Sequence, residues 1–138
     1  MPGYLLDTNV LSELRKGLAC HPNVRKWFDN HDGFFVSVIA IAEIRDGIER
    51  LKPRDPSQAA RLEKWLRETE RNFGERILPV TASVADRWGR LRTPQPMPDF
   101  DRLLAATAAE HGLDIVTRNT RDFERPGISV VNPWIGPA

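Results

Sequence analysis

The sequence has 138 residues, of which 41% are hydrophobic and 28% charged, as expected of one soluble globular domain spanning residues 1–138. The 20 Lys and Arg against 19 Asp and Glu leave a net charge of +1, which neither requires nor excludes a nucleic-acid partner. The single cysteine excludes an internal disulfide, and no signal peptide or apolar run of roughly 18 residues is visible, so we expect a cytoplasmic protein without a membrane partner.

The first half of the chain alternates between strand and helix patterns. Residues 3–6 form a short apolar run that predicts a strand, and a helix is expected from 9 to 16. Residues 33–39 are apolar on both faces, as in a strand covered on both sides of a parallel sheet. Helical spacing of isoleucines follows at 40–51. No helix or strand is predicted between 17 and 32.

The second half continues this alternation. Ser57 is the expected N-cap of one helix, Thr81 of the next, and Gly112 is expected to end the last. A proline-rich loop is predicted at 93–99. The elements predicted here are strands at 76–80, 113–117 and 128–132 and helices at 57–73, 81–92 and 100–112. Together the two halves predict one α/β domain around a mainly parallel sheet of about five strands.

Four acids fall where ligands gather in such a sheet, beyond the carboxyl ends of the strands. They are Asp7, Glu43, Asp101 and Asp122, here called the acid cluster. Each also has a purely structural interpretation. Asp7 could cap the following helix, Glu43 could pair with an arginine, Asp122 could cap a turn, and Asp99 could be the N-cap that leaves Asp101 as a first-turn acid.

Electrostatics distinguishes the cluster from its separate members. Two like charges about 4 Å apart repel by roughly 4 kcal/mol at an effective dielectric near 20, so several such carboxylates need protons or a cation. Oxygen-only ligands favour the hard ions Mg²⁺ or Mn²⁺. None of the three histidines has a partner at metal-ligand spacing, which disfavours zinc.

Three blocks of sequence carry a family resemblance. They are "LLDTNVLSEL", "SVIAIAEIRDGI" and "DFDRLLAATAAEHGLDIVTRNTRDFE", in that order. The chain resembles the PIN-domain ribonucleases, in particular the VapC-type toxins of bacterial toxin–antitoxin pairs and their FitB-like members. The resemblance implies that the acid cluster is the catalytic and metal-binding site. It makes Asp99 a cap or supporting residue and places the polar positions Asn9, Ser37, Thr117 and Asn119 around the site.

The same resemblance implies a three-layer α/β/α fold, a homodimer, and a cognate antitoxin that forms a hetero-oligomer with the toxin. It also implies a Mg²⁺-dependent endoribonuclease, with Mn²⁺ as a substitute ion, in which a metal-activated water cleaves RNA and leaves a 5′-phosphate. Arg45, Arg118 and Arg121 lie near cluster residues in the sequence and are the candidates to contact RNA phosphates.

Other functions remain open at this stage. A PIN-like module could bind RNA or a protein without catalysis, and a similar acid cluster could serve a structure-specific DNA nuclease. A haloacid-type phosphatase would need an Asp-x-Asp pair after the first strand, whereas this chain has Asp7 and Asn9 there.

Overall fold

The computed structural model describes residues 3–93, 96–124 and 127–136. Five strands form one sheet, and every pair of neighbouring strands runs parallel. The strands are β1 (Gly3–Leu6), β2 (Phe34–Ser37), β3 (Ile77–Leu78), β4 (Leu113–Val116) and β5 (Val130–Val131). Their spatial order is β3-β2-β1-β4-β5, so β1 is central and the carboxyl ends of all strands meet at one edge.

Helices connect these strands, as a parallel sheet requires. They are α1 (Thr8–Leu14), α2 (Pro22–Asp29), α3 (Val38–Leu51), α4 (Pro56–Phe73), α5 (Ala82–Arg90) and α6 (Asp99–His111). Within the described ranges, no helix is long and apolar enough to cross a membrane.

The strands bury both of their faces, which makes three layers. On one face Leu6, Val36 and Val116 pack with the apolar sides of α1, α3 and α4. On the other face Leu5 and Ile115 pack with α6 and the buried Phe123. Alternate residues of one strand therefore serve opposite cores. This arrangement confirms the predicted α/β/α fold with a five-stranded parallel sheet.

Helix α6 approaches the sheet closely because its buried side chains are small. Four successive residues of this helix, from Ala105 to Ala108, are all buried. Gly112 ends the helix in the left-handed conformation, with φ of 64°, which confirms its predicted role. These residues pack α6 against β1 and β4 on this face of the sheet.

Three local predictions are wrong. Helix α2 lies in a segment without a predicted element; Pro22 begins it, and His21 accepts a hydrogen bond from the Asn23 amide. Asp55, not Ser57, caps α4 by accepting from the Gln58 amide at 3.1 Å. Asp99 is the first residue of α6 rather than its N-cap. Thr81 does cap α5, as predicted. Residues 94 and 95 of the predicted proline loop lie outside the described residues.

Candidate active site

Asp7 lies at the carboxyl edge of the sheet, directly after β1. Its amide donates to the Val116 carbonyl at 2.9 Å, which extends the pairing of β1 with β4. Its Oδ1 accepts from the Thr8 amide at 2.8 Å, so Asp7 is the N-cap of α1. The helix-capping interpretation is therefore confirmed for this residue, and the cap leaves its place in the acid cluster open.

A set of polar side chains fixes the second carboxylate oxygen of Asp7. Thr117 donates from its hydroxyl to Oδ2 at 2.8 Å, and the Asn9 amide nitrogen lies 3.4 Å from the same oxygen. The Thr117 hydroxyl in turn accepts from Asn9 at 3.2 Å and from the Asn119 amide at 3.1 Å. Three of the four predicted surrounding residues thus form one network that orients Asp7.

Burial makes the charged form of Asp7 costly. The residue is 9% exposed, and this desolvation raises its pKa, although the hydrogen bonds from Thr117 and the Thr8 amide act in the opposite direction. The charge of Asp122 raises the pKa further. Asp7 therefore favours a proton or a nearby cation.

Glu43 lies in the second turn of α3 and is held by a residue that the sequence did not single out. The Thr8 hydroxyl donates to Glu43 Oε1 at 2.9 Å, across 35 positions of sequence. Partial burial raises the pKa of Glu43, the bond from Thr8 opposes this, and the charge of Asp7 adds to the increase. Ser37, the fourth predicted surrounding residue, caps α3 by accepting from the Ile39 amide at 3.0 Å. Ser37 therefore supports the helix that carries Glu43.

Asp101 connects the cluster electrostatically. It lies in the first turn of α6, and burial raises its pKa to about 6 together with the charges of Asp7, Asp122 and Glu43. Its neighbour Asp99 instead has a 77% exposed side chain that lies 3.7 Å from Arg102. The structure therefore brings Asp7, Glu43 and Asp122 within electrostatic reach of Asp101 and leaves Asp99 at the surface.

Asp122 reaches the cluster from a short 3₁₀ turn after β4, at Thr120–Phe123. Its amide donates to the Asn119 carbonyl at 3.2 Å, and the next residue, Phe123, is fully buried in the core. These contacts fix the turn while the Asp122 side chain stays exposed. Asp122 is the most accessible member of the acid cluster.

The donor set suits a hard, hydrated ion. Carboxylate oxygens are the side-chain ligands that Mg²⁺ prefers, and Mg²⁺ commonly binds through one or two carboxylates while it keeps several waters. Among the residues that the structure describes, no group of three or more His, Cys, Asp or Glu is arranged to hold a metal ion as it stands. The four acids offer only oxygen donors, the type used by an ion that keeps part of its water shell, and they include none of the Cys or His ligands of a closed zinc site.

Arg45 is not brought to the site. Residues two apart on a helix point about 200° apart around its axis, so Arg45 lies on the opposite side of α3 from Glu43. Its guanidinium pairs with both carboxylate oxygens of Glu63, at 2.6 and 2.7 Å. This placement corrects the expectation that Arg45 contacts phosphate. Arg118 and Arg121 are exposed next to the carboxyl edge, as expected for contacts with a ligand there.

We compared the chain with protein families, with individual proteins and with solved structures, and all three comparisons point to the same family. Residues 4–128 match the PIN domain. The VapC ribonuclease Y4jK of Sinorhizobium fredii is 32% identical over 137 residues, covering 94% of this chain and 96% of that protein. Toxin FitB of Neisseria gonorrhoeae is 33% identical over 141 residues, covering 94% and 97%. The structure of FitAB bound to a DNA fragment matches with a TM-score of 0.85 and 29% identity, over 98% of both chains.

A three-layer parallel α/β domain with acids gathered at its carboxyl edge, matched over this length, defines the class. The chain belongs to the PIN-domain family. Within that family it is of the VapC and FitB type, to judge from its similarity to toxins of both names along almost its whole length.

Proposed function

We propose that the protein is a Mg²⁺-dependent endoribonuclease and the toxin of a toxin–antitoxin pair. The observation that carries this proposal is the convergence of Asp7, Glu43, Asp101 and Asp122 from four elements at the carboxyl edge of the sheet, close enough for the other three charges to raise the pKa of Asp101. A fold has no structural need to gather four acids from four elements, because each adds repulsion that protons or a cation must relieve. The names of the relatives, which include ribonucleases and toxins, supply the reaction and the biological role.

Asp7, Glu43 and Asp101 would hold the ion directly or through water, and Asp122 would hold a second ion if one binds. When bound, a divalent ion supplies charge neutralisation and lowers the pKa of a water that can attack a phosphodiester. The protein contributes orientation. Thr117 and Asn9 fix Asp7, and Thr8 fixes Glu43, so these two carboxylates have defined orientations.

Two residues that could act as a nucleophile or base, Cys20 and His21, are poorly suited to those roles. Cys20 is a free, buried thiol, and burial raises its pKa, which disfavours the reactive thiolate. His21 is occupied as the N-cap of α2. The chemistry is therefore assigned to the acid cluster, with in-line attack that leaves a 5′-phosphate and a 3′-hydroxyl.

Partners are proposed from the relatives. One similar solved structure is titled a toxin–antitoxin complex from Klebsiella pneumoniae, and one relative is named a tRNA(fMet)-specific endonuclease. We accordingly propose an RNA substrate, a cognate antitoxin, a homodimer of the toxin, and action in the cytoplasm. Co-expression with the antitoxin encoded beside the toxin should yield a complex that has no nuclease activity.

The test is cleavage of total bacterial RNA, with 5′-phosphate ends mapped by sequencing in Mg²⁺, Mn²⁺ or EDTA. Asp101→Asn should abolish cleavage, whereas Asp99→Asn, which changes an exposed acid on the same helix, should leave it intact. Glu43→Gln should also abolish cleavage, with Asp46→Asn as the matched control on α3, where Asp46 is exposed and paired with Arg50. Parent-level cleavage by Asp101→Asn would refute the assignment.

Two further results would favour a different function for the protein. Cleavage of structured DNA but not of RNA would indicate a DNA nuclease with the same cluster. Wild-type protein that binds RNA but cuts neither polymer in either ion would indicate a binding module.

A further inference from the structure

A second feature at the carboxyl edge is a stacked pair formed by Arg118 and Trp134. The Arg118 guanidinium carbon lies 5.3 Å from the centre of the Trp134 ring, a cation–π contact. Arg118 follows Thr117, which binds Asp7, and the Arg118 amide donates to the Asn9 side chain at 3.2 Å. The arginine therefore belongs to the same polar network as Asp7, at its solvent side.

Trp134 forms a fixed surface for this contact. Its ring packs against the hydrophobic core on the α1–α4 face of the sheet. Its amide donates to the Asn132 side chain at 3.0 Å, and its carbonyl accepts from the Asn23 side chain of α2 at 2.8 Å. These two bonds fix the backbone of Trp134, and packing against the core fixes its ring. The indole can therefore restrict the movement of the Arg118 guanidinium that lies over it.

The stacking leaves the hydrogen-bonding groups of Arg118 available. The guanidinium carbon lies over the Trp134 ring, and in the described part of the chain none of the Arg118 side-chain N–H donors is hydrogen-bonded to another residue. Several other arginines use these donors for bonds to neighbouring residues. Arg102 stacks on Trp88 but also donates to the Trp88 carbonyl at 3.0 Å, and Arg45 is paired with Glu63. Across the described ranges, no carboxylate forms a salt bridge with Arg118.

The positive charge of Arg118 at this edge can reduce the electrostatic repulsion between the protein and its proposed RNA substrate. RNA is a polyanion, and the acid cluster would repel its phosphates except at the reacting group. A positive group outside the cluster, fixed in orientation and with free donors, would offset this repulsion for a neighbouring phosphate.

We propose that Arg118 binds an RNA phosphate next to the cleaved bond and that Trp134 is a positioning residue that holds its guanidinium in place. This inference rests on the proposed ribonuclease function, which supplies the RNA ligand. Trp134 does not contact the phosphate. It acts through Arg118, by reducing the freedom that the arginine would lose on binding.

The test measures binding, separately from cleavage. A fluorescein-labelled single-stranded RNA of random sequence is titrated with full-length protein in EDTA at several salt concentrations. Arg118→Ala should weaken binding about tenfold at low salt. It should also reduce the slope of log affinity against log salt by about 0.7, the contribution of one phosphate contact on a single strand. Arg15→Ala is the matched control, because Arg15 also stacks on a tryptophan, Trp65, but lies at the far end of α1.

Trp134→Ala should weaken binding about two- to fivefold, the amount expected from a partly exposed cation–π contact. Trp134→Phe should restore most of that loss. The decisive variant combines Trp134→Ala with Arg118→Ala: it should bind no more weakly than Arg118→Ala alone, since Trp134 acts only through the arginine. Thermal unfolding of each variant identifies any that fails to fold. If Trp134→Ala does not fold, the RNA affinity of Trp134→Phe is compared with that of the wild type instead.

Additive losses in the double variant would overturn the positioning role. An unchanged affinity and salt slope in Arg118→Ala would overturn the phosphate contact, as would the absence of wild-type binding. None of these three results would decide the nuclease proposal, which is tested by Mg²⁺-dependent cleavage by the wild type.

Discussion

The hydroxyl of Thr117 donates to Asp7 Oδ2 at 2.8 Å, and this buried bond joins residues 110 positions apart. Each residue directly follows a strand, and the two strands, β1 and β4, are neighbours in the sheet. The sheet register therefore sets the orientation of the acid that is central to the candidate site. A hydroxyl in this position keeps one carboxylate oxygen fixed while the opposite side of Asp7 stays available to the other acids.

Thr117→Val should weaken ion binding and cleavage about 10- to 100-fold, the usual cost of losing a group that orients a metal ligand. The valine has the same shape but leaves Asn9 and the Asn119 amide without their acceptor, so stability should also fall by about 1–3 kcal/mol. Calorimetry with Mn²⁺ measures the first effect and urea unfolding the second. Thr69→Val is the control, because Thr69 is also buried and bonds only the Trp65 carbonyl of its own helix; equal effects on Mn²⁺ affinity would contradict this prediction.

Asp101→Asn should stabilise the metal-free protein at neutral pH. The folded-state pKa of Asp101 is about 6, against an ordinary value of 3.8, so between these values the folded protein binds more protons than the unfolded chain. The stability of the wild type therefore falls as pH rises through this window and stays lower above pH 6. The melting temperature of Asp101→Asn in EDTA should exceed that of the wild type at pH 7, and the difference should shrink towards pH 4.

Adding Mn²⁺ at pH 7 should reverse that order, because the ion stabilises only the protein that binds it. A difference in melting temperature that is independent of pH would show that repulsion within the acid cluster is not its cause. Asp99→Asn, measured in the same series, should show neither the pH dependence nor the reversal.

Thr8→Val should release Glu43 and further raise its pKa, because the hydrogen bond from Thr8 is the contribution that lowers it. Cleavage should fall about tenfold or more, and the rise of the rate with pH should shift to higher pH. Thr8→Ser keeps the hydroxyl and should behave as the wild type. A pH–rate profile of all three proteins decides the matter; identical profiles would mean that Glu43 needs no support from Thr8.

Arg45→Ala should lower stability without changing RNA binding, because Arg45 joins α3 to α4 through Glu63 and lies away from the acid cluster. The melting temperature should fall slightly, and Glu63→Gln should produce a similar decrease. The double variant should lose little more than either single one, since both remove the same pair. A reduced salt slope of RNA binding in Arg45→Ala would instead restore this arginine as a phosphate contact.

Periodicity predicted most of the fold, since helices and strands that bury one or both faces leave a clear pattern. Helix α2 was missed although Val24, Trp27 and Phe28 have helical spacing and Pro22 stands at its first position. Its other residues are polar, and a helix of eight residues leaves room for few apolar positions. The N-cap of α4 was misplaced because Asp55 and Ser57 are both good caps and only the backbone conformation distinguishes them.

The acids of the candidate site were predictable because each follows or faces a strand end, and topology brings strand ends together. The contact between Thr8 and Glu43 was not predictable from the sequence, since a hydroxyl next to a capping aspartate can form hydrogen bonds with many nearby groups. Arg45 was misjudged because proximity in sequence does not mean proximity in space on a helix. Trp134 packs against the core, and its contact with Arg118 depends on a tertiary arrangement that no local pattern encodes.

The central position of β1 has a consequence during synthesis. This strand emerges from the ribosome first, but its neighbour β4 and the residues Asp101, Thr117 and Asp122 follow only after residue 100. A nascent chain that stops earlier carries Asp7 and Glu43 without the elements that complete their surroundings. The four acids can therefore come together only after the chain has been synthesised beyond residue 122.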